Sequence, residues 1–489
     1  MAADDIRDDE KVDAAGAPAA QLADLSKEDD ARIRRRVDMF ILPVMMISYM
    51  FQFLDKLSLA FASIMTLNQD IGLHGTDYNW ASSIYYFGYL VASYPAGALM
   101  VRLPLGKTIA ASVLIWGVIL ILTPAVFNTA GLLANRFFLG AAEAAVGPGL
   151  GLVVSMWYKR SEQPLRHGTW FFGNMIAGMF GNLVAYGIGH ITSIPAWKAL
   201  FAIFGGATVL WAVGMFWLLP DLPQTAWFLS AEDRNKAVAR TKTNMTGIKN
   251  DEIKWYQVKE AMLDPQMWLL CVIMLAGTIA NGGVANFGPI ILKGLGFNTF
   301  QALLLNSGVY LYQACVLTIV AVGSTYLRNT RTIFYALIYA VSLVGVLMVQ
   351  HVPTEQRWVR FVGYTLNLTF SSSIALSLSL VSGNIAGFTK KVTVNMMTFV
   401  AYCVGNIIGP HLFFEREKPA YPSGFIAILV SYCVATSCCI LLRVHLIWQN
   451  RRRDRMQQEQ GRTENLTTAE DAQFLDLTDK EMINFRYVY

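Results

Sequence analysis

The chain has 489 residues, of which 54% are hydrophobic and only 15% charged, and its mean hydropathy is +0.41. That is too little charge to cover the surface of a soluble protein of this size, so the composition reads as a polytopic membrane protein. The formal charge of +5 is divided between an acidic start and basic clusters at span ends, which reports topology and not nucleic-acid binding.

Cys271, Cys315, Cys403, Cys433, Cys438 and Cys439 all fall in apolar stretches, with neither disulfide-framework nor metal-ligand spacing. They read as small core residues, and no cofactor is implied. The first thirty residues carry many acids and no apolar core, unlike a secretory leader. Residues 1–37 read as a disordered acidic tail that ends in a basic juxtamembrane cluster, Arg32, Arg34, Arg35 and Arg36.

Apolar stretches of about 20 residues or more then follow. There are twelve, at 38–66, 79–100, 108–127, 131–156, 168–190, 198–219, 267–292, 302–325, 331–350, 357–382, 392–414 and 424–446. They form an N-terminal bundle over 38–219 and a C-terminal bundle over 267–446, separated by a central loop at 220–266 and followed by a tail at 447–489. The expected fold class is therefore an all-α membrane protein with twelve transmembrane helices in two six-helix bundles.

Lys and Arg are retained on the cytoplasmic side of a span. The N-terminal tail, Arg102 and Lys107, Lys159, Arg160 and Arg166, the central loop, Arg328 and Arg331, Lys390 and Lys391, and Arg451–Arg453 all fall on one side. Connections 67–78 and 127–131 on the other side have none, so both termini are cytosolic. Arg357, Arg360, Arg416 and Lys418 are outer-side exceptions late in the chain. In the central loop, Ser230 with Asp233 opens a polar helix through Arg240 that Asn244–Gly247 should end; this reads as structural. Gly181-Asn182 in span five and Gly405-Asn406 in span eleven hold equivalent places, a faint internal repeat.

Away from span ends, four side chains of Asp, Glu, Lys or Arg type lie inside the spans: Asp55, Lys56, Arg136 and Glu143. Ionised groups at that depth point to function. Arg136 and Glu143 are seven positions apart and so share a helix face, about 10 Å apart along the axis. A carboxylate in a low-dielectric cavity readily takes a proton, which makes Asp55 and Glu143 the proton-coupling candidates. With all four ionised the quartet is neutral, and protonating one acid leaves a net positive charge that favours an entering anion. The planar fork of Arg136 suits a carboxylate better than the point charge of Lys56. The alternative is an ion-pair network that merely ties spans one and four together.

Other candidates for substrate contact are Tyr85, Asn174, Asn281, Asn286, Gln313 and Asn395, with Asn306, Asn367 and Asn406 as further neutral polar groups. Tyr86, Trp170 and Phe172 are candidate stacking rings that also suit packing. His190 and His411 near outer span ends read as solvated or capping residues. No nucleophile–base pair, metal spacing or phosphate-binding loop stands out, so an enzyme is not expected.

The motifs FLDKLSLAFA at 53–62, RLPLGK at 102–107, RFFLGAAEAAVGPG at 136–149, PDLPQTAWFLSAEDRNKAVARTKTNMTGI at 220–248, KWYQVKEAMLDPQMW at 254–268, FGPIILKGLGF at 287–297, AGFTKK at 386–391, GNIIGP at 405–410 and DLTDKEMINFRY at 476–487 carry a family likeness. In them the sequence resembles the fungal allantoate permease group of the anion:cation symporters, within the major facilitator superfamily. The resemblance implies the major facilitator fold and proton-driven uptake of small organic anions across the plasma membrane. Members handle allantoate and other ureides, nicotinate, pantothenate, biotin, sulfur amino acids or small peptides.

It further implies that the acids matching Asp55 and Glu143 carry protonation, and that Lys56 and Arg136 serve substrate binding or coupling. The 2–3 loop lacks the acid of the general gating motif, which leaves Arg102 a gating or topological role. Tyr310, Tyr312 and Gln313 replace an expected proline-glycine pattern and would mark an altered substrate if span eight lines the cavity. Partners are then an organic anion, protons and the bilayer, with the monomer as the working unit. A facilitator or exporter of a specialised metabolite shares this fold, and a non-transporting nutrient sensor would need a cytosolic module that the short tails do not suggest.

Overall fold

The computed structural model describes residues 26–159, 162–245, 254–327, 329–418, 420–459, 476–482 and 484–489. Helix α1 (Lys27–Ser63) crosses outward, α2 (Leu67–Ile71) follows its end, and α3 (Asp77–Arg102) and α4 (Leu105–Leu122) make the next two crossings. The fourth is split into α5 (Thr129–Glu143) and α6 (Val146–Trp157), the fifth into α7 (Gln163–Phe171) and α8 (Gly173–Ile188), and α9 (Ala196–Leu218) is the sixth. The cytosolic connection holds α10 (Ala231–Met245) and α11 (Trp255–Met262). The second half runs α12 (Pro265–Gly294), α13 (Thr299–Tyr326), α14 (Arg331–His351), α15 (Arg357–Asn367) with α16 (Ser373–Asn384), α17 (Phe388–His411) and α18 (Pro422–Glu459). Eleven crossings are long and apolar enough to span a membrane by hydropathy, and α3 is the twelfth.

Helix ends differ from the expected spans for local reasons. The α1 helix begins within the stretch expected to be a disordered tail: Ser26 Oγ accepts from the Asp29 amide at 3.1 Å, and Glu28, Asp29 and Asp30 occupy the dipole-favoured first turn. The α18 helix carries Arg451–Arg453 and continues to Glu459, past the expected 446. Span four breaks after Glu143, because Pro148 cannot donate to the Ala144 carbonyl and its ring crowds it. In the central loop Ser230 Oγ accepts from the Asp233 amide at 3.2 Å. That α10 helix is tied down by charge: Arg240 is buried against Asp30 at 2.9 Å and against Glu162, and Asp233 receives Arg32 at 2.8 Å and Arg36 at 2.9 Å. Gly247, expected to end it, lies outside the described residues.

Within the bundles α3 packs along α5, α4 along α9, and α12 along α17; between them α3 meets α17, α8 meets α13, and α1 meets α12. The repeat pair is placed alike in both halves. Gly181 lies against Leu54 of α1, and Gly405 against Thr278 of α12. Asn182 and Asn406 each donate to the carbonyl four residues back, at 2.6 and 2.8 Å.

The bundles meet along their outer halves. Tyr78 Oη donates to the Asn286 carbonyl at 2.8 Å, Ser83 Oγ to the Ile407 carbonyl at 2.8 Å, and Ser307 Oγ to the Met179 carbonyl at 2.8 Å. Along α3 the outer stretch 81–90 is buried or half-buried except Phe87, while 91–99 contains no buried residue. The seam between the bundles, the cleft of this two-bundle fold, is thus tied by hydrogen bonds at its outer half. One outer contact depends on Gly178, where any Cβ would run into the Tyr310 ring of α13. Gly178→Val is expected to destabilise the protein by about 1–3 kcal/mol through overpacking at this contact, and adding Tyr310→Ala should restore part of that loss, as read by thermal unfolding.

Candidate functional site

The buried face of α5 is Leu132, Arg136, Leu139, Gly140 and Glu143, so the two charged groups do share one face. Close approach of α3 sets up the site: a Cβ at Gly140 would strike the Tyr85 carbonyl, and one at Gly88 the Phe137 carbonyl. That crossing lets Tyr85 Oη donate to Glu143 Oε2 at 2.5 Å. Gln52 Nε2 of α1 donates to the Glu143 backbone carbonyl at 3.5 Å, next to the helix break. Glu143 Oε1 is buried with no hydrogen-bond partner.

Asp55 and Lys56 diverge, because successive helical residues point about 100° apart. Asp55 turns into the N-terminal bundle, where Oδ2 accepts from Trp116 Nε1 of α4 at 2.5 Å and from Thr208 Oγ1 of α9 at 3.5 Å, while Oδ1 has no partner. Lys56 Nζ turns to α3 and lies 5.4 Å from the Tyr85 ring centre and 5.6 Å from that of Tyr89. Arg136 is 2% exposed, sits over the Phe201 ring at 5.5 Å, and leaves Nε and Nη2 without partners. None of the four forms a salt bridge among the described residues, so the tying network weighed from the sequence is absent in this state.

A family model described as Major Facilitator Superfamily matches residues 45–410. The chain belongs to the major facilitator superfamily. An uncharacterized transporter of Schizosaccharomyces pombe is 36% identical over 95% of this chain and 87% of its own length. The allantoate permease of Saccharomyces cerevisiae is 32% identical over 98% of this chain and 90% of that protein, as the motifs led one to expect. The xylose transporter XylE from E. coli, in a partially occluded inward-open conformation, shares the fold with a TM-score of 0.60 at 12% identity, over 84% of this chain and 97% of that one. As a major facilitator protein this chain is an integral multi-pass transporter and not an enzyme.

Of the candidate residues in this facilitator, Lys56, Tyr85 and Glu143 come together, with Arg136 on the same α5 face and Asp55 bonded to Trp116 and Thr208. Asn174 is buried with Oδ1 unpartnered. Other amides are already engaged: Asn281 donates to Asn406 Oδ1 at 2.8 Å, and Asn286 to the Gly282 carbonyl at 2.8 Å. Gln313 is buried on α13, one turn inward of Tyr310. Tyr312 faces away, sharing a hydrogen bond with Thr369 Oγ1 at 2.8 Å inside the C-terminal bundle. Asn367 likewise serves the bundle core, accepting from Tyr432 Oη at 2.7 Å. Asn395 is exposed on α17, on the helix face of Phe399 and Tyr402, whose rings meet Tyr89 at 5.5 Å and Tyr86 at 6.1 Å across the cleft. Trp170 packs edge-on to Tyr49 at 4.6 Å, and His190 stacks on Phe300 at 4.2 Å.

Four contributors escaped the sequence reading: Trp116, Thr208, Gln52 and Tyr89. Trp116 carries no signal, since a tryptophan in an apolar span usually faces lipid or packs. Gln52 was legible as an amide in the middle of span one.

Proposed function

We propose that this facilitator couples inward movement of a proton to uptake of a small organic anion, a carboxylate in the class of allantoate, nicotinate or pantothenate, by alternating access. One observation carries the reading: the two buried acids Asp55 and Glu143 each leave an oxygen unpartnered, with no cation at ion-pair distance among the described residues. A bare carboxylate so placed is costly, and a proton removes that cost. Glu143 is the acid at the cleft, joined through Tyr85 to the surroundings of Lys56. Asp55, held by Trp116 and Thr208 inside the bundle, answers to changes in how α1, α4 and α9 pack.

With Glu143 neutralised, Lys56 and Arg136 are in excess, and an anion restores balance. Arg136 supplies a fork for a carboxylate, and Lys56 a second positive centre over Tyr85 and Tyr89. Rocking of the bundles about the α3–α17 and α8–α13 seams then exposes the site alternately. Uptake across the plasma membrane by a monomer follows from the same reading, since one chain supplies both bundles.

The test is initial uptake of labelled allantoate, nicotinate, pantothenate, biotin and a dipeptide by cells expressing the chain, at acidic and neutral external pH, with and without protonophore. Accumulation of one anion that is stronger in acid and collapses with protonophore is expected. Uptake indifferent to the proton gradient, or outward movement only, would overturn the coupling and favour a facilitator or exporter.

A further inference from the structure

The last described stretch of the chain is seated in a built site on the cytosolic end of the C-terminal bundle. Lys390, in the first turn of α17, is fully buried, donates to Asp479 at 2.6 Å and Glu260 at 2.9 Å, and lies at ion-pair distance from Asp264, 3.0 Å. Asp479 is equally buried and accepts from Tyr487 Oη at 2.7 Å, while its backbone carbonyl accepts from Arg453 Nη2 at 2.6 Å.

Two asparagines read the backbone of the segment at adjacent residues. Asn384 donates to the Val488 carbonyl at 2.8 Å and accepts from the Val488 amide at 2.7 Å. Asn450 does the same for Tyr487, at 2.8 and 2.9 Å. Paired contacts of this kind hold an extended peptide irrespective of its side chains.

The segment also completes α17. Its N-cap residue is Gly387, at φ +85°, which has no side chain to satisfy the first-turn amides. Two of those amides are served from elsewhere: Phe388 N donates to Asp476 Oδ1 at 2.6 Å and Lys390 N to Gln257 Oε1 at 3.1 Å, while Ala386 N, just before the cap, donates to Asp479 Oδ1 at 3.3 Å. Gln257 is in turn held by the Asp476 carbonyl at 3.0 Å. The hydrogen bond from Lys254 to the Asp476 carboxylate raises the lysine above its ordinary value. Thr478 is buried, donates to Glu260 Oε2 at 3.1 Å, and exchanges hydrogen bonds with Glu481.

We propose that Asp476–Tyr489 is an intramolecular ligand of α17, a strap whose seating caps and orders the cytosolic end of that helix. The same helix carries Asn395, Phe399 and Tyr402 along the cleft, so the strap sets the geometry of the cytosolic mouth. The N-terminal bundle has a parallel device in α10, whose buried Arg240 binds Asp30 and Glu162. Each bundle is thus held at its cytosolic end by a segment from outside its membrane helices.

The test is amide hydrogen exchange on the full chain in nanodiscs, compared with a chain ending at residue 475. Amides of Phe388–Thr393 are expected to exchange about tenfold faster without the strap, while those of Gly405–Gly409 at the outer end stay unchanged. A synthetic 476–489 peptide added in trans should restore protection. Thr478→Glu, which sets a further carboxylate beside Glu260, should behave as the truncation does, and Thr478→Ser as the intact chain.

Unchanged exchange at Phe388–Thr393 would overturn the proposal, as would equal loss of protection at both ends of α17, which would mark a general loss of stability. A second arm rests on the proposed uptake activity: uptake of the anion that the panel identifies should fall at least about fivefold on truncation and recover with peptide at the cytosolic face. Should the intact chain itself take up none of the panel compounds, that counts against the uptake reading, and the exchange result alone decides the strap.

Discussion

Glu143→Gln is expected to abolish acid-driven accumulation while the chain still reaches the membrane. Glutamine keeps the volume and an oxygen for the Tyr85 hydroxyl, now at 2.5 Å, and removes only the capacity to gain and lose a proton. A gradient of one pH unit supplies about 1.4 kcal/mol, or about tenfold accumulation at one proton per anion. The variant should therefore fall to an accumulation ratio near unity, with uptake that no longer rises as external pH falls. Exchange of labelled for unlabelled anion, which needs no net proton movement, should persist. Measuring both in the same vesicles separates uncoupling from misfolding; undiminished concentrative uptake by the glutamine variant would end the role assigned to Glu143.

The second large effect is expected at Arg136. Its guanidinium lies over Phe201 with Nε and Nη2 unpartnered, two donors in the fork geometry that a carboxylate accepts. Arg136→Lys keeps the charge and discards the fork, so binding should weaken while coupling survives. Loss of one charge-assisted hydrogen bond is worth roughly 1.5–3 kcal/mol, which corresponds to an apparent KM raised about 10- to 150-fold with a smaller change in maximal rate. Lys56 is a different case: its ammonium is already a point charge over Tyr85 and Tyr89. An unchanged KM in the Arg136→Lys variant would move the anion site away from α5.

The reading of Asp55 and Lys56 shows where sequence reasoning reached its limit. Adjacent in the chain, they enter one charged quartet in the sequence, yet the turn between neighbouring helical residues sends one toward Trp116 and Thr208 and the other to the α3 rings. Arg136 and Glu143 were better served, because a seven-residue spacing keeps two side chains on one face whatever the helix packs against. The neutral amides were the least legible. Asn281, Asn286 and Asn367 look alike in an apolar stretch, and their partners, Asn406, the Gly282 carbonyl and Tyr432, depend on which helix lies alongside.

The tail illustrates the same limit from the other end. DLTDKEMINFRY was recognisable as a family motif, but nothing in its composition says that Asp476 caps a helix beginning at Phe388 or that Asp479 neutralises Lys390. Hydropathy, charge asymmetry and helical spacing sufficed for the number of crossings, the side on which the termini lie, and the shared face of Arg136 and Glu143. These follow from local rules, since hydrocarbon forces every crossing segment to satisfy its own backbone. Which buried groups meet, which acid stays unpaired, and which distant segment completes α17 were decided by helix crossings, and those depend on close contacts such as Gly140 against Tyr85 that join residues far apart in the chain.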